Sequence, residues 1–338
     1  MIVEMRKGAV KESIDAVVER AGSFGFDVQL NFGTDKTVIA ILGSNTGQAP
    51  TDAFAVLPEV ESVTRIMRPY KLAAREFKPE NSRVSIGGVE VGGDRVVVMA
   101  GPCAVESEEQ LMAAAKAVKA AGASVLRGGA FKPRTSPFSF QGLERAGLDL
   151  LAKARNELGM PVITEVVDSQ AVEMVAASVD VLQVGSRNMQ NFSLLTQVGR
   201  SHRPVVLKRG YSCTVTEWLT AADYVLAEGN DQVILCERGI RTFEDSTRFS
   251  MDISSLPVIK KASHLPILVD PSHAAGHYSL VPALALAAIA AGADGLLIEV
   301  HPNPKEALVD GLQSLTPSDF TRLMEELRAI AEAVGRSL

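Results

Sequence analysis

The sequence predicts an α/β protein: an eight-stranded (β/α)8 barrel with a small α+β domain in front of it. Three observations carry that expectation. Beyond residue 95 one unit recurs eight times, an apolar run, a loop bearing a charged residue, then an amphipathic stretch. Before residue 68 the pattern is different, with four short β-like runs around two helix-like ones. Between the two regimes lies a charged segment with two prolines, RPYKLAAREFKPENSR.

The first regime reads in order as follows. Residues 2–5 form a strand. Residues 10–21 set Ile14, Val17, Val18 and Ala21 at helical spacing. Residues 28–32 and 38–42 are strands around a turn at Gly33, Thr34, Asp35 and Lys36. Residues 49–57 read as a helix and 60–67 as a fourth strand. The order βαββαβ is the ferredoxin-like split motif, so residues 1–67 are expected to form an independent domain and 68–83 a linker.

Residues 84–338 then form the barrel with a hairpin at its start. Gly87-Gly88 marks the hairpin turn within 84–91. The barrel strands are expected at 96–100, 124–126, 161–164, 181–184, 204–207, 232–235, 266–269 and 295–298, with helices such as 108–121, 142–158, 215–228 and 280–291 between them. The strands are rich in Val, Ile and Leu without alternation, as parallel strands buried on both faces are. Eight such units in this length are the TIM-barrel arrangement.

Composition narrows the function. The chain has 338 residues, 46% hydrophobic and 22% charged, with net charge −6. An acidic balance gives no general support for nucleic-acid or polybasic membrane binding, so anionic ligands must meet local clusters of cations. Three scattered cysteines, Cys103, Cys213 and Cys236, make no disulfide framework and suit a reducing cytoplasm. The N-terminus lacks a signal-peptide pattern, and the Ala-rich run at 281–293 is too short to span a bilayer.

The residues that follow the eight strands are Cys103, Arg127, Glu165, Arg187, Lys208, Arg238, His273 and Glu299. Every one is charged or a potential metal ligand, and all belong at the C-terminal mouth, where such barrels carry their active sites. Arg127, Arg187, Lys208 and Arg238, with Lys132 and Arg134 from the loop FKPRTSPFSFQG, put six cations at one mouth of an acidic protein. Guanidinium forks suit phosphates and carboxylates, so a substrate set with several negative charges is expected. The plainer alternative is a solvated rim of ion pairs. Cys103, His273 and Glu299, joined by Asp310, mix thiolate, imidazole and carboxylate, a set that suits Mn, Fe, Co or Zn better than Mg or Ca. Here the plainer alternatives are a buried inert thiol and a structural histidine. Glu165 and Asp270 are carboxylates placed to orient cations or water; His277 and His301 lie at the mouth, and Trp218, Cys236, His202 and His264 read as structural.

The segments AGPCAVES, VLRGGAFKPRTSPFSFQG, VGSRNMQN, LKRG, CERGIRTFE, DPSHAAG, IEVHP and DGLQSL resemble those of the 3-deoxy-D-arabino-heptulosonate 7-phosphate (DAHP) synthases of type I, in the subgroup with an N-terminal ferredoxin-like regulatory domain. The resemblance spans about three-quarters of the chain, and KPRTS is its most specific piece. The related octulosonate 8-phosphate synthases carry a KANRSS-like loop there and are the runner-up. The resemblance implies condensation of phosphoenolpyruvate with erythrose 4-phosphate and water, the first step of the shikimate pathway. It implies one divalent metal on Cys103, His273, Glu299 and Asp310. Arg127, Lys132, Arg187, Lys208 and Arg238 would bind phosphoenolpyruvate, and Arg134, Thr135 and Ser136 the sugar phosphate. Lys132, Glu165, Lys208 and Cys103 would serve the chemistry. A cytoplasmic homo-oligomer, tetrameric by resemblance, with tyrosine or phenylalanine as effector is also implied. Ser186 and Ala274-Ala275 depart from the family pattern without replacing a charged or ligand group. Two other classes remain open on the residues alone: a Schiff-base aldolase with Lys208 as nucleophile, and a metabolite sensor on an inactive barrel.

Overall fold

The computed structural model describes residues 1–338 apart from 34–35, 44–45, 47–48, 66–67 and 134–135. The chain divides into two units, Met1–Asn81 with Lys261–His264, and Ser82–Lys260 with Leu265–Leu338.

The first unit holds β1 (Ile2–Met5), α1 (Lys11–Ser23), β2 (Asp27–Phe32), β3 (Thr37–Leu42), α2 (Asp52–Ala55) and β4 (Val60–Thr64). Its strands form one antiparallel sheet in the order β2-β3-β1-β4, the βαββαβ topology that the pattern predicts. The helical stripe Ile14, Val17 and Ala21 shares one core with Val3 and Met5 of β1, Ile39 and Ile41 of β3, and Phe54 of α2. The helix expected over 49–57 shrinks to the single turn of α2. Pro58 disfavours helical backbone at the residue before it, which stops propagation. The strand expected over 60–67 ends at Thr64, and its last two positions lie outside the described residues.

The second unit opens with a hairpin, β5 (Val84–Ile86) and β6 (Val89–Val91). The barrel follows: β7 (Val97–Gly101), α3 (Glu108–Ala121), β8 (Val125–Arg127), α4 (Glu144–Leu158), β9 (Val162–Val166), α5 (Val172–Ser178), β10 (Val181–Val184), α6 (Phe192–Arg200), β11 (Val205–Lys208), α7 (Val215–Ala227), β12 (Val233–Glu237), α8 (Ser255–Ala262), β13 (Ile267–Val269), α9 (Pro271–Ala275), α10 (Val281–Ala290), β14 (Gly295–Glu299) and α11 (Pro317–Ala333). The strands β7 to β14 pair in parallel and close, with β14 against β7. Val84, Ile86 and Val91 of the hairpin pack into the barrel interior with Val97, Met99, Val125, Ile163, Val206 and Leu297. The hairpin therefore fills the end of the barrel opposite the mouth, and the core is a solid plug of side chains. Among the described residues no helix is long and apolar enough to cross a membrane.

Four of the predicted mouth residues, Arg127, Glu165, Lys208 and Glu299, lie inside the strands and not just beyond them. They are thereby fixed by sheet hydrogen bonds, which gives more precise placement than a loop does.

The close approach of β7 to β8 depends on Gly101. Its Cα is in register with Glu299, its φ is +151°, and a Cβ there would sit 2.2 Å from the Arg127 carbonyl oxygen. Gly101→Ala must force β7 and β8 apart beside Cys103. We expect it to destabilise the barrel by roughly 3 kcal/mol through overpacking and backbone strain together. Gly159→Ala, at φ +60° with open space around it, is the control for strain alone and costs about 1 kcal/mol. Denaturant midpoints of both variants check this; equal losses would mean that the close approach at Gly101 relaxes freely.

Candidate active site

The closed barrel sorts the mouth into two arcs. Cys103 follows β7, His273 sits on α9 after β13, Glu299 ends β14, and Asp310 lies in the segment after β14. These belong to three adjacent strands across the closing seam. Arg127, Glu165, Arg187, Lys208 and Arg238 belong to β8 through β12, the remaining arc.

In the first arc one ligand atom from each of Cys103, His273, Glu299 and Asp310 lies within 4.8 Å of all the others. The Cys103 Sγ is 3.5 Å from Asp310 Oδ2, and His273 Nε2 is 3.5 Å from Glu299 Oε1. The chemistry of the set fits a divalent ion. Asp270 Oδ2 accepts from His273 Nδ1 at 2.7 Å, which leaves Nε2 with its lone pair turned to Glu299. A carboxylate behind the imidazole is the usual support of a metal-ligating histidine. Burial lowers the His273 pKa, with Asp270 and Glu299 opposing it. Burial and Glu299 push the Cys103 thiol up to about 12, so a thiolate there needs a cation in contact.

The carboxylates behind this arc are ionised despite deep burial. Burial raises the Glu299 pKa, but His273 and Arg127 outweigh it and hold the group far below the carboxylate range. Arg127 NH1 donates to Glu299 Oε1. Asp270 follows the same logic, held low by His273 and by Lys208, whose Nζ lies 2.5 Å from Oδ2. That ion pair argues against Lys208 as a Schiff-base nucleophile, which must be a free amine.

Glu165, Arg187 and Arg238 of the second arc line a cavity of about 300 Å³ together with His273 and Asp310. Lys132, Ser136, Glu165, Arg187 and Arg238 all face it. Arg127 borders a small recess beside it, shared with Lys132 and Glu165. Lys132 Nζ sits 3.1 Å from both the Cys103 carbonyl oxygen and its sulfur, so this amine joins the two arcs. Arg238 is 3% exposed, and its NH1 has no hydrogen-bond partner among the described residues. Its guanidinium instead lies over two rings, 4.0 Å from the Phe249 centroid and 4.9 Å from that of Tyr211. The rings stack on each other 5.0 Å apart. A buried cation held by aromatic faces and left short of acceptors is a site prepared for an anion. Arg187, also near Tyr211 at 5.8 Å, is exposed.

The structure thus brings together Cys103, Arg127, Lys132, Ser136, Glu165, Arg187, Lys208, Arg238, His273, Glu299 and Asp310. Arg134 and Thr135 lie outside the described residues. Sequence reasoning passed over Tyr211, Phe249, Arg248 and Gln313. Arg248 lines the cavity, and Gln313 donates to Glu299 at 2.7 Å. These four come from long loops, where no period marks a position; Gln313 alone stood in a recognised segment, DGLQSL. Trp218 is fully buried and donates to the Leu207 carbonyl, and Cys236 lies in the barrel core, so both are structural. His301 is buried against Glu106, at 3.3 Å.

Comparison with known proteins identifies the family. Residues 76–334 match the DAHP synthetase I family, and residues 1–68 match the DAHP synthase ferredoxin-like domain. A phospho-2-dehydro-3-deoxyheptonate aldolase of Thermotoga maritima is 47% identical over 99% of each chain. A crystal structure of the Thermotoga maritima phospho-2-dehydro-3-deoxyheptonate aldolase (DAHP synthase) superposes with TM-score 0.80 at 47% identity, covering 99% of this chain and 98% of that one. A 2-dehydro-3-deoxyphosphooctonate aldolase of Geobacter sulfurreducens is 33% identical over 73% of this chain and 97% of its own. The chain belongs to the DAHP synthetase I family and carries the ferredoxin-like domain N-terminal to the barrel in sequence.

Proposed function

We propose that this chain condenses phosphoenolpyruvate with erythrose 4-phosphate and water, giving 3-deoxy-D-arabino-heptulosonate 7-phosphate and phosphate. The observation that carries the reading is the pairing of the two arcs. A cavity lined by cations abuts a cluster of four metal-type ligands, and Lys132 touches both. The 47% relationship over the full chain, ferredoxin-like domain included, favours the heptulosonate over the octulosonate reaction.

Phosphoenolpyruvate carries a phosphate and a carboxylate, and Arg127, Lys132, Arg187, Lys208 and Arg238 neutralise them. Arg187 and Arg238, which both line the cavity, suit the phosphate. Clamping both charges holds C3 in line with the aldehyde carbon and keeps bulk water from protonating it. C3 attacks the aldehyde, and C2 gains positive character. Water adds at C2 with its proton drawn toward Glu165, and the C–O bond to phosphate breaks to leave the 2-keto group. Lys132 Nζ, beside Cys103, delivers a proton to the new hydroxyl oxygen. Ser136, with Arg134 and Thr135 of the same loop, holds the sugar phosphate.

Cys103, His273, Glu299 and Asp310 would hold one divalent ion of the Mn, Fe, Co or Zn class. When bound, such an ion supplies Lewis-acid polarisation of the aldehyde oxygen. Treatment with a strong chelator should abolish turnover, and Mn²⁺ should restore it. Cys103→Ser should weaken ion affinity while the far-ultraviolet dichroism stays unchanged, because the ligand stands above an independent core. Full turnover in protein shown by elemental analysis to lack metal would refute this part of the reading.

The aldehyde should be erythrose 4-phosphate and not arabinose 5-phosphate. A side-by-side assay of kcat/KM with both sugars decides it, and a preference for the five-carbon sugar reverses the assignment. Arg134→Ala should raise KM for the sugar phosphate more than for phosphoenolpyruvate.

Residues 1–67 act as a regulatory domain, with tyrosine or phenylalanine as effector bound where these domains meet across subunits. The barrel is closed by its own strands, and a truncated Thermotoga form covering 80% of this chain has a solved structure. Deleting the domain should leave an active barrel insensitive to aromatic amino acids. Inhibition that survives deletion, or full-length enzyme indifferent to both amino acids, overturns the regulatory role. Loss of turnover in a folded truncated protein would assign the domain to catalysis instead.

A further inference from the structure

Two of the four candidate ligands are tied to a residue on another loop. Arg248 lies in the segment between β12 and α8. Its backbone is fixed to the α9 turn, since Arg248 N donates to the Ala275 carbonyl at 3.2 Å and Phe249 N to that of Ala274 at 2.9 Å. From there the guanidinium reaches the segment after β14. Its NH1 donates to Gln313 Oε1 at 2.6 Å and lies 3.4 Å from Asp310 Oδ1. Gln313 is 2% exposed, and its Nε2 donates to Glu299 Oε2 at 2.7 Å.

This chain of contacts has a direction. An amide can face a carboxylate with its NH2 or, wrongly, with its oxygen. Arg248 is only a donor, so it captures the amide oxygen and turns the NH2 of Gln313 onto Glu299. Gln313 holds Oε2, while Oε1 takes the Arg127 guanidinium and also faces His273 Nε2 at 3.5 Å, so the carboxylate is pinned from both sides. The same guanidinium fixes Asp310 Oδ1 and leaves Oδ2 for the Cys103 side, 3.5 Å from its sulfur. One arginine thus bears on both carboxylates, on Asp310 directly and on Glu299 through Gln313.

We propose that Arg248 and Gln313 are positioning residues of the metal centre, acting as one relay that orients Glu299 and Asp310. The proposal rests on the reading of the cluster as a divalent-ion site, and the test separates the two. Chelator-stripped full-length protein is titrated with Co²⁺, whose visible absorption reports both affinity and the thiolate–imidazole–carboxylate environment. Wild-type protein that takes up no Co²⁺ at the cluster overturns the metal reading, and the proposal with it.

If wild-type binds, Arg248→Met and Gln313→Leu should each weaken Co²⁺ affinity about 10-fold, the lower end expected for loss of an outer partner, with a changed absorption spectrum. Because both act through one relay, the double variant should be weaker than the worse single variant by no more than about 3-fold, not by the product. Arg248→Lys should recover part of the affinity. Dichroism and melting of the metal-free variants report folding. Should Gln313→Leu fail to fold, Arg248→Met and its rescue by lysine decide alone, since Arg248 is half-exposed. Affinities within 2-fold of wild type in folded variants overturn the proposal. So do multiplicative losses, which mean independent contacts, and a higher KM for either substrate at unchanged Co²⁺ affinity, which makes Arg248 a substrate contact.

Discussion

Two buried carboxylates organise the mouth of this barrel. Asp270 and Glu299 are each 1% exposed, and a lone ion at such depth would be strongly destabilising. Each is ionised because cations and hydrogen-bond donors converge on it. Lys208 and His273 serve Asp270, while Arg127 and Gln313 serve Glu299, with His273 close by. The demand for neutrality runs outward from these two groups. It fixes the histidine tautomer, spaces the candidate ligands, and dictates which arginine is committed to protein and which is left for a ligand.

That division separates the cations by role. Arg127 and Lys208 sit inside strands and are bound to buried carboxylates, so their charge is largely balanced before a substrate arrives. Arg238 has no carboxylate partner among the described residues; the faces of Phe249 and Tyr211 hold it in place. Burial lowers its pKa, Asp270 opposing, which is the expected direction for a guanidinium short of acceptors. An anion entering beside it satisfies a donor that the protein leaves open. A ring of equally paired cations would bind anions weakly, and a ring of unpaired ones would repel itself. The mixture avoids both.

Much of this was legible in the sequence, because in a βα repeat the position after an apolar strand also fixes a place in space. Cys103, Glu165, Arg187 and His273 could be assigned to one mouth with no knowledge of distance. The reading placed Arg127, Glu165, Lys208 and Glu299 too far out, since a charged residue ends an apolar run whether or not the strand continues through it. The hairpin was legible as a turn, but its role as a plug was not, because Val84, Ile86 and Val91 become core only against a closed barrel. Tyr211, Phe249, Arg248 and Gln313 were invisible for a related reason. The contact of Arg248 with Gln313 joins positions 65 residues apart on two irregular loops, and no local pattern encodes that meeting.

The location of the ligand cluster has a further physical consequence. Cys103 and Asp310 are 207 residues apart in sequence and meet only because β14 pairs with β7. The cluster therefore lies on the seam where the first and last strands close the barrel. Any ion held there binds the closed barrel in preference to one open at the seam, so its binding free energy adds to closure. Closure in turn brings the two arcs to a common cavity, with Lys132 between them. A reaction that joins two anions needs the electrophile's oxygen on one side and the nucleophile's charges on the other. The barrel meets that need by geometry alone: the seam strands supply one side of the ring, and β8 through β12 supply the other.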